Sequence, residues 1–208
     1  MARSAAPSTR RAQAAESFKT AAECIGTVEP GMALFALTRG QFSMIDAILA
    51  CLDQTGPAEL SLWTWTVAEY EIQCMDRLRR DERVTAGTLV IDQGARRKNA
   101  ALLRQWKDAY GEDSVRYTVN HAKIATIKNE RFRLLLRGSM NLNYNPRFEQ
   151  FDLTEGGPDF DLIKEVEAEL PILPETAKKE DAYRASRVGE AFQADQLEMF
   201  TGVKVWAK

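Results

Sequence analysis

Residues 121–141 read HAKIATIKNERFRLLLRGSMN, and how this stretch folds on itself decides the architecture. Val115 to Ile127 is an extended run, and so is Arg131 to Arg137, with polar Lys128-Asn129-Glu130 between them. Two β-prone runs across so short a gap predict an antiparallel hairpin. The midpoint of His121 and Ser139 is residue 130 and that of Lys123 and Ser139 is residue 131, both in or beside the turn. Residues two apart on a strand share a face, so His121 and Lys123 project together. If the extended path continues past Gly138, Ser139 and Asn141 project together opposite them.

That group suits phosphate chemistry. An imidazole serves as nucleophile or general acid near neutral pH. Lys123 supplies a point charge for phosphate oxygens. The Ser139 hydroxyl and the Asn141 amide donate to the same oxygens. Positioning and charge stabilisation dominate phosphoryl transfer, so the set fits attack on a phosphodiester without a metal or cofactor.

His121-x-Lys123 followed by Gly138-Ser139-x-Asn141 resembles the H-x-K…G-S-x-N signature of the phospholipase D superfamily, in particular its small single-motif bacterial nucleases. The resemblance spans roughly residues 31–171. It implies that one histidine attacks phosphorus to give a phosphohistidine, that a second protonates the leaving oxygen, and that Lys123, Ser139 and Asn141 hold the phosphate. It also implies that Glu149, in Phe148-Glu149-Gln150-Phe151-Asp152, orients the histidine ring. Two features depart from the pattern. The family aspartate, which the resemblance makes mainly structural, is Lys128 here, and the gap from Lys123 to Gly138 is longer. The chain has one histidine, so the implied two-histidine mechanism requires a homodimer with the site on its two-fold axis.

Working outward, Met32–Leu37 reads as a strand, and Phe42, Ile45, Ile48, Leu49 and Leu52 as a helix that Gly56-Pro57 ends. Leu60–Val67 is a strand. Ala68, Ile72, Met75 and Leu78 mark a helix face. Thr88–Ile91 is a buried strand and Asn99–Tyr110 a helix. This β-α-β-α-β-α order implies a parallel sheet with crossovers. After the hairpin come a strand, Phe148–Leu153, and a helix carrying Phe160, Ile163, Val166 and Leu170. The expected fold is α/β, a phospholipase D-like mixed sheet with helices on both faces and its ligand at the strand ends. The expected organisation is an N-terminal extension (1–30), one domain (31–171) and a C-terminal extension (172–208). In that last segment Phe192, Leu197, Met199, Phe200 and Trp206 serve as packing contacts.

A chain of 208 residues with 45% hydrophobic and 28% charged residues suits one soluble domain with extensions. Its net charge of −2 provides no global field for nucleic acid, so an anionic substrate must meet a local patch. Cys24, Cys51 and Cys74 form no C-x-x-C pair and read as reduced thiols; no zinc-like spacing is present. No apolar run is long enough to span a membrane. Residues 1–30 have transit-peptide composition, but Glu16 and Glu23 interrupt it, and the expected location is cytoplasmic.

Each site reading has a plainer rival. A lone strand histidine is usually a satisfied polar residue; four matched positions on one face favour function here. Glu149 alone reads equally well as a solvated carboxylate. Arg131, Arg133 and Arg137 either line a nucleic-acid groove or keep an edge strand soluble, the second being preferred. Arg96-Arg97-Lys98 and Thr38-Arg39-Gly40-Gln41, at strand-to-helix turns, are phosphate contacts or ordinary helix entries. Trp63 and Trp65 read as core. The expected function is a phosphodiesterase, most simply an endonuclease. The rivals are a phospholipase or phosphatidyl transferase, and an inactive nucleic-acid-binding protein of the same fold.

Overall fold

The computed structural model describes residues 10–140, 142, 146–174 and 176–185. In chain order the elements are β1 (Arg10–Ala14), α1 (Ala21–Ile25), β2 (Ala33–Thr38), α2 (Met44–Thr55), β3 (Ala58–Thr64), α3 (Glu69–Arg80), β4 (Val84–Asp92), α4 (Ala95–Lys98), α5 (Ala100–Tyr110), β5 (Val115–Thr118), β6 (Ile124–Lys128), β7 (Arg133–Gly138), β8 (Glu149–Glu155), α6 (Pro158–Glu169) and α7 (Lys179–Ala185).

The eight strands form one mixed sheet in the order β1-β2-β8-β7-β6-β3-β4-β5. β3 and β4 are parallel neighbours, as the alternating pattern predicts, and β5 adds a third parallel strand beside β4 that the pattern did not include. β2 is not their neighbour, because the antiparallel trio β8-β7-β6 lies between it and β3. The hairpin takes that place: β6 pairs with β3, β7 with β6, and β8 bridges back to β2.

Alternation along β3 decides which helices cover which face. Leu60 and Leu62 join the main core with Ile45, Ile48, Ile72, Leu89, Leu103, Trp106 and Ile127, so α2, α3 and α5 cover one face. Trp63 and Val90 point the other way and meet Leu170 and Ile163, so α6 covers the opposite face. The buried Glu167 of α6 accepts from Ser61 Oγ and from Trp63 Nε1 (3.1 Å), and Lys164 neutralises it. The helices on both faces of a mixed sheet match the expected α/β class.

Local sequence sets the helix ends. Ser43 and Asp46 form a reciprocal capping box at the start of α2, with Ser43 N donating to Asp46 Oδ2 at 2.7 Å. Gly56, at φ 75°, ends the helix by donating to Leu52 O.

Three expectations change. Residues 10–14 are not outside the fold: β1 pairs in parallel with β2, and α1 buries Ala21, Cys24 and Ile25 in the main core. The domain therefore takes in residues from Arg10 onward. The expected strand 115–127 is two strands that are not neighbours, because β5 joins β4 at one sheet edge while β6 crosses back to β3. The arginines of the hairpin are not on an edge. β7 is internal; Arg133 pairs with Asp161, and Arg137 pairs with Asp159 at 2.8 Å, both on α6. At the C-terminal side, Arg96 donates to Pro174 O and Ala177 O, which ties these two residues to the turn after β4. The tail aromatics from Phe192 onward lie outside the described residues.

Candidate active site

Strand directions gather the site at one end of the sheet. β2, β7, β3, β4 and β5 run one way and end at Thr38, Gly138, Thr64, Asp92 and Thr118; β6 and β8 run the other way and begin beside Lys123 and at Glu149. Residues 119–123, which join β5 to β6, must therefore cross over the ends of β4 and β3. His121 lies on this crossing.

Asn120 holds the crossing down. Its buried side chain donates to Thr64 O (3.0 Å) and Val90 O (3.4 Å), straddling β3 and β4, and its Oδ1 accepts from Ala122 N (2.9 Å). Asp92 accepts from Asn120 N (3.1 Å) and from Gly94 N (2.8 Å), which locks the crossing to the turn after β4. Neither Asn120 nor Asp92 was expected at the site. The available signal was Asn120 itself, a residue depleted in strands, inside a run read as one strand.

The hairpin register runs from Ile124↔Arg137 to Lys128↔Arg133, and Gly138 N donates to Lys123 O (3.2 Å). Lys123 is thus opposite Gly138, and pairing stops there. His121 has left the ladder and stands exposed, but Lys123 follows it: Nζ donates to His121 O (2.9 Å) and lies 3.3 Å from Nδ1. An ammonium can only donate, so that ring contact is a hydrogen bond when Nδ1 is unprotonated. Desolvation pulls the Lys123 pKa below its ordinary value, and the Glu149 carboxylate nearby acts in the opposite, weaker sense.

Gly138 is needed for close approach. A Cβ there would meet Gln150 O at 2.4 Å. The bare backbone lets Ser139 N donate to Gln150 O (3.1 Å) and Ser139 Oγ accept from Gln150 N (3.0 Å). The Ser139 hydroxyl donates to Glu149, which is buried at the start of β8. Glu149 therefore meets Ser139 by hydrogen bond and Lys123 by charge, and no contact between it and the His121 ring is found among the described residues. Asn141 lies outside the described residues.

Two aromatic rings flank this group. Trp65, expected in the core, is 51% exposed just past β3, with its ring centroid 6.0 Å from that of His121. Trp63 is buried as expected. Phe148 is 62% exposed just before β8, and the Arg39 guanidinium lies 5.0 Å over its ring. Of the two basic turns, Arg39 reaches this rim, whereas Arg96 is occupied by backbone carbonyls and by stacking over Tyr117 (4.9 Å).

Fold and site define an α/β protein with a histidine–lysine–serine group at the strand ends of a mixed sheet. No protein-family model matches the chain, and no curated protein does. Two solved structures resemble it in part. One is TrmBL2, an archaeal chromatin protein whose structure is described as showing a novel mode of DNA binding; it is 12% identical, with 68% of this chain and 52% of that one covered, at a TM-score of 0.40. The other is polyphosphate kinase from Porphyromonas gingivalis, 18% identical, with 70% and 27% covered, at a TM-score of 0.44. This chain thus spans about half and about a quarter of their lengths, and at these scores neither lends it an activity. No helix among the described residues is long and apolar enough to cross a membrane.

Proposed function

We propose that the chain is a metal-independent phosphodiesterase of phospholipase D type acting on nucleic acid, and that two copies complete each active site. The observation that carries this reading is the convergence of His121, Lys123 and Ser139 from the crossing and the hairpin, with Glu149 behind them. In the proposed reaction an unprotonated His121 nitrogen attacks phosphorus, and the bond from phosphorus to the leaving oxygen breaks. The protonated histidine of a second copy gives its proton to that oxygen. Water then attacks the phosphohistidine, losing its proton to the same second histidine and releasing His121. Lys123 and Asn141 hold the phosphate oxygens as charge develops, and Ser139 joins them when its hydroxyl, which donates to Glu149 in the free site, turns to the substrate.

Lys128, where the family pattern has aspartate, does not weigh against this. It lies opposite Arg133 and Glu59 in register, at the far end of β6. That end is about 16 Å along the strand from Lys123.

The test is incubation of purified protein with labelled single- and double-stranded DNA and RNA in EDTA, beside His121→Ala and with a phospholipid substrate in parallel. Cleavage of nucleic acid that vanishes in His121→Ala is expected. Cleavage that survives in the variant overturns the mechanism, binding without cleavage favours an inactive binding protein, and lipid turnover alone moves the substrate to phospholipid.

A further inference from the structure

Trp65 and Phe148 are exposed on the rim of the candidate site, and aromatic rings supply large contact area where a partner or ligand is met. Trp65 is not a loose loop residue. The Thr64 hydroxyl donates to Thr66 O (2.8 Å), and Asn99 Nδ2 donates to Val67 O (2.7 Å) while its Oδ1 accepts from the Thr66 hydroxyl (3.3 Å). The segment is held on both sides of the ring. Phe148 is fixed by the pairing of the next residue, Glu149, with Thr38, and one face of its ring is covered by Arg39.

From these positions we infer that Trp65 and Phe148 are base-stacking platforms on either side of the phosphate site, and that the substrate is single-stranded nucleic acid. The inference rests on the phosphodiester reading above and adds the substrate class to it. β8 and β3, whose ends carry the two rings, are three strand spacings apart, about 14 Å. His121, Lys123 and Ser139 lie between. Neighbouring bases in a duplex rise about 3.4 Å, with their faces turned to one another. They cannot serve two outward platforms so far apart. A single strand can splay its bases to do so.

A second copy of the chain is the rival occupant of these rings. Charge disfavours it as the sole explanation. Lys123 sits on this rim, and a two-fold contact there would bring its ammonium towards that of its own copy unless an anion lay between, whereas Arg39 is paired with Glu16 at 2.9 Å. A polyanion with aromatic bases matches both the Lys123 ammonium and the rings.

The decisive measurement compares fluorescein-labelled 12-mers of oligothymidylate and oligouridylate with an abasic deoxyribose-phosphate 12-mer of equal charge, in EDTA, by anisotropy and by cleavage. Trp65→Ala, Phe148→Ala and the ring-keeping Trp65→Phe are run beside the wild type, and all are sedimented. The wild type should prefer at least one base-bearing strand over the abasic one. Each alanine variant should lose about 5- to 150-fold of that preference, the equivalent of about 1–3 kcal/mol of stacking per base, and Trp65→Phe should keep most of it. Equal affinity for base-bearing and abasic strands overturns the inference but leaves the phosphodiesterase reading standing if the abasic strand is cut. Variants that fall apart from dimer to monomer while keeping the preference assign the rings to the subunit interface and overturn it too. Failure to bind or cut any strand removes the phosphodiester reading itself.

Discussion

Asn120 shows how a residue beside the proposed nucleophile can hold it in place without touching substrate. Its amide ties two strand ends to the chain that carries His121. Asn120→Ala leaves the buried Thr64 and Val90 carbonyls without this donor, at a cost of about 1–3 kcal/mol. We expect a lower thermal midpoint, and turnover that falls even at temperatures where the variant is fully folded. Unchanged turnover in the folded variant would show that His121 is placed without it. Lys123 makes a second prediction at this scale. Burial of its ammonium lowers its pKa, so the charge is lost at a pH below the ordinary 10.5. The penalty on the charged folded state is full below the lowered value and disappears above 10.5. Stability therefore does not fall over that window, while activity that needs the ammonium does. The alkaline limb of the rate profile should lie below 10.5 with the protein still folded by circular dichroism, and Lys123→Arg should remove that limb. Residue identities in the motif were legible because His, Lys and Ser are chemically distinctive. Trp65 was not, because the end of β3 at Thr64, rather than the residue type, leaves its ring exposed.

Among the elements, the hairpin was legible and the crossing before it was not, for one physical reason. A hairpin is local, and its register follows from a short polar turn; here Asn129 Oδ1 accepts from Arg131 N and Phe132 N to close it. The break between β5 and β6 is set by which distant strands they pair with. Periodicity carries no information about that. β1 was missed likewise, since its five residues, RRAQA, are short and half exposed at an edge. The junction of β7 and β8 offers the sharpest test of the element geometry. Gly138→Ala places a Cβ against Gln150 O, a backbone atom that can yield only by parting the strands. Overpacking of this kind costs about 1–3 kcal/mol. A urea midpoint lowered accordingly, with cleavage lost more steeply than stability, is the expected result; wild-type activity would mean that the Ser139–Glu149 contact tolerates the shift.

For the whole molecule, the count of histidines makes the strongest demand. One imidazole per chain cannot be both phosphorus-attacking base and leaving-group acid in the same turnover, so an active site with both roles draws on two chains. The folded unit described here offers a suitable surface, because the group at the strand ends faces solvent and not its own core. Mixing experiments distinguish a shared site from two independent ones. When wild-type chains are co-refolded with His121→Ala chains in varying ratio, a mixed dimer holds only one histidine. If each site needs both, activity follows the square of the wild-type fraction. If each chain acts alone, it follows that fraction linearly. A linear response, or a strict monomer by sedimentation at the assay concentration, would return the chemistry to a single chain and oblige another group there, such as Lys123, whose Nζ lies 3.3 Å from His121 Nδ1, to serve the leaving oxygen.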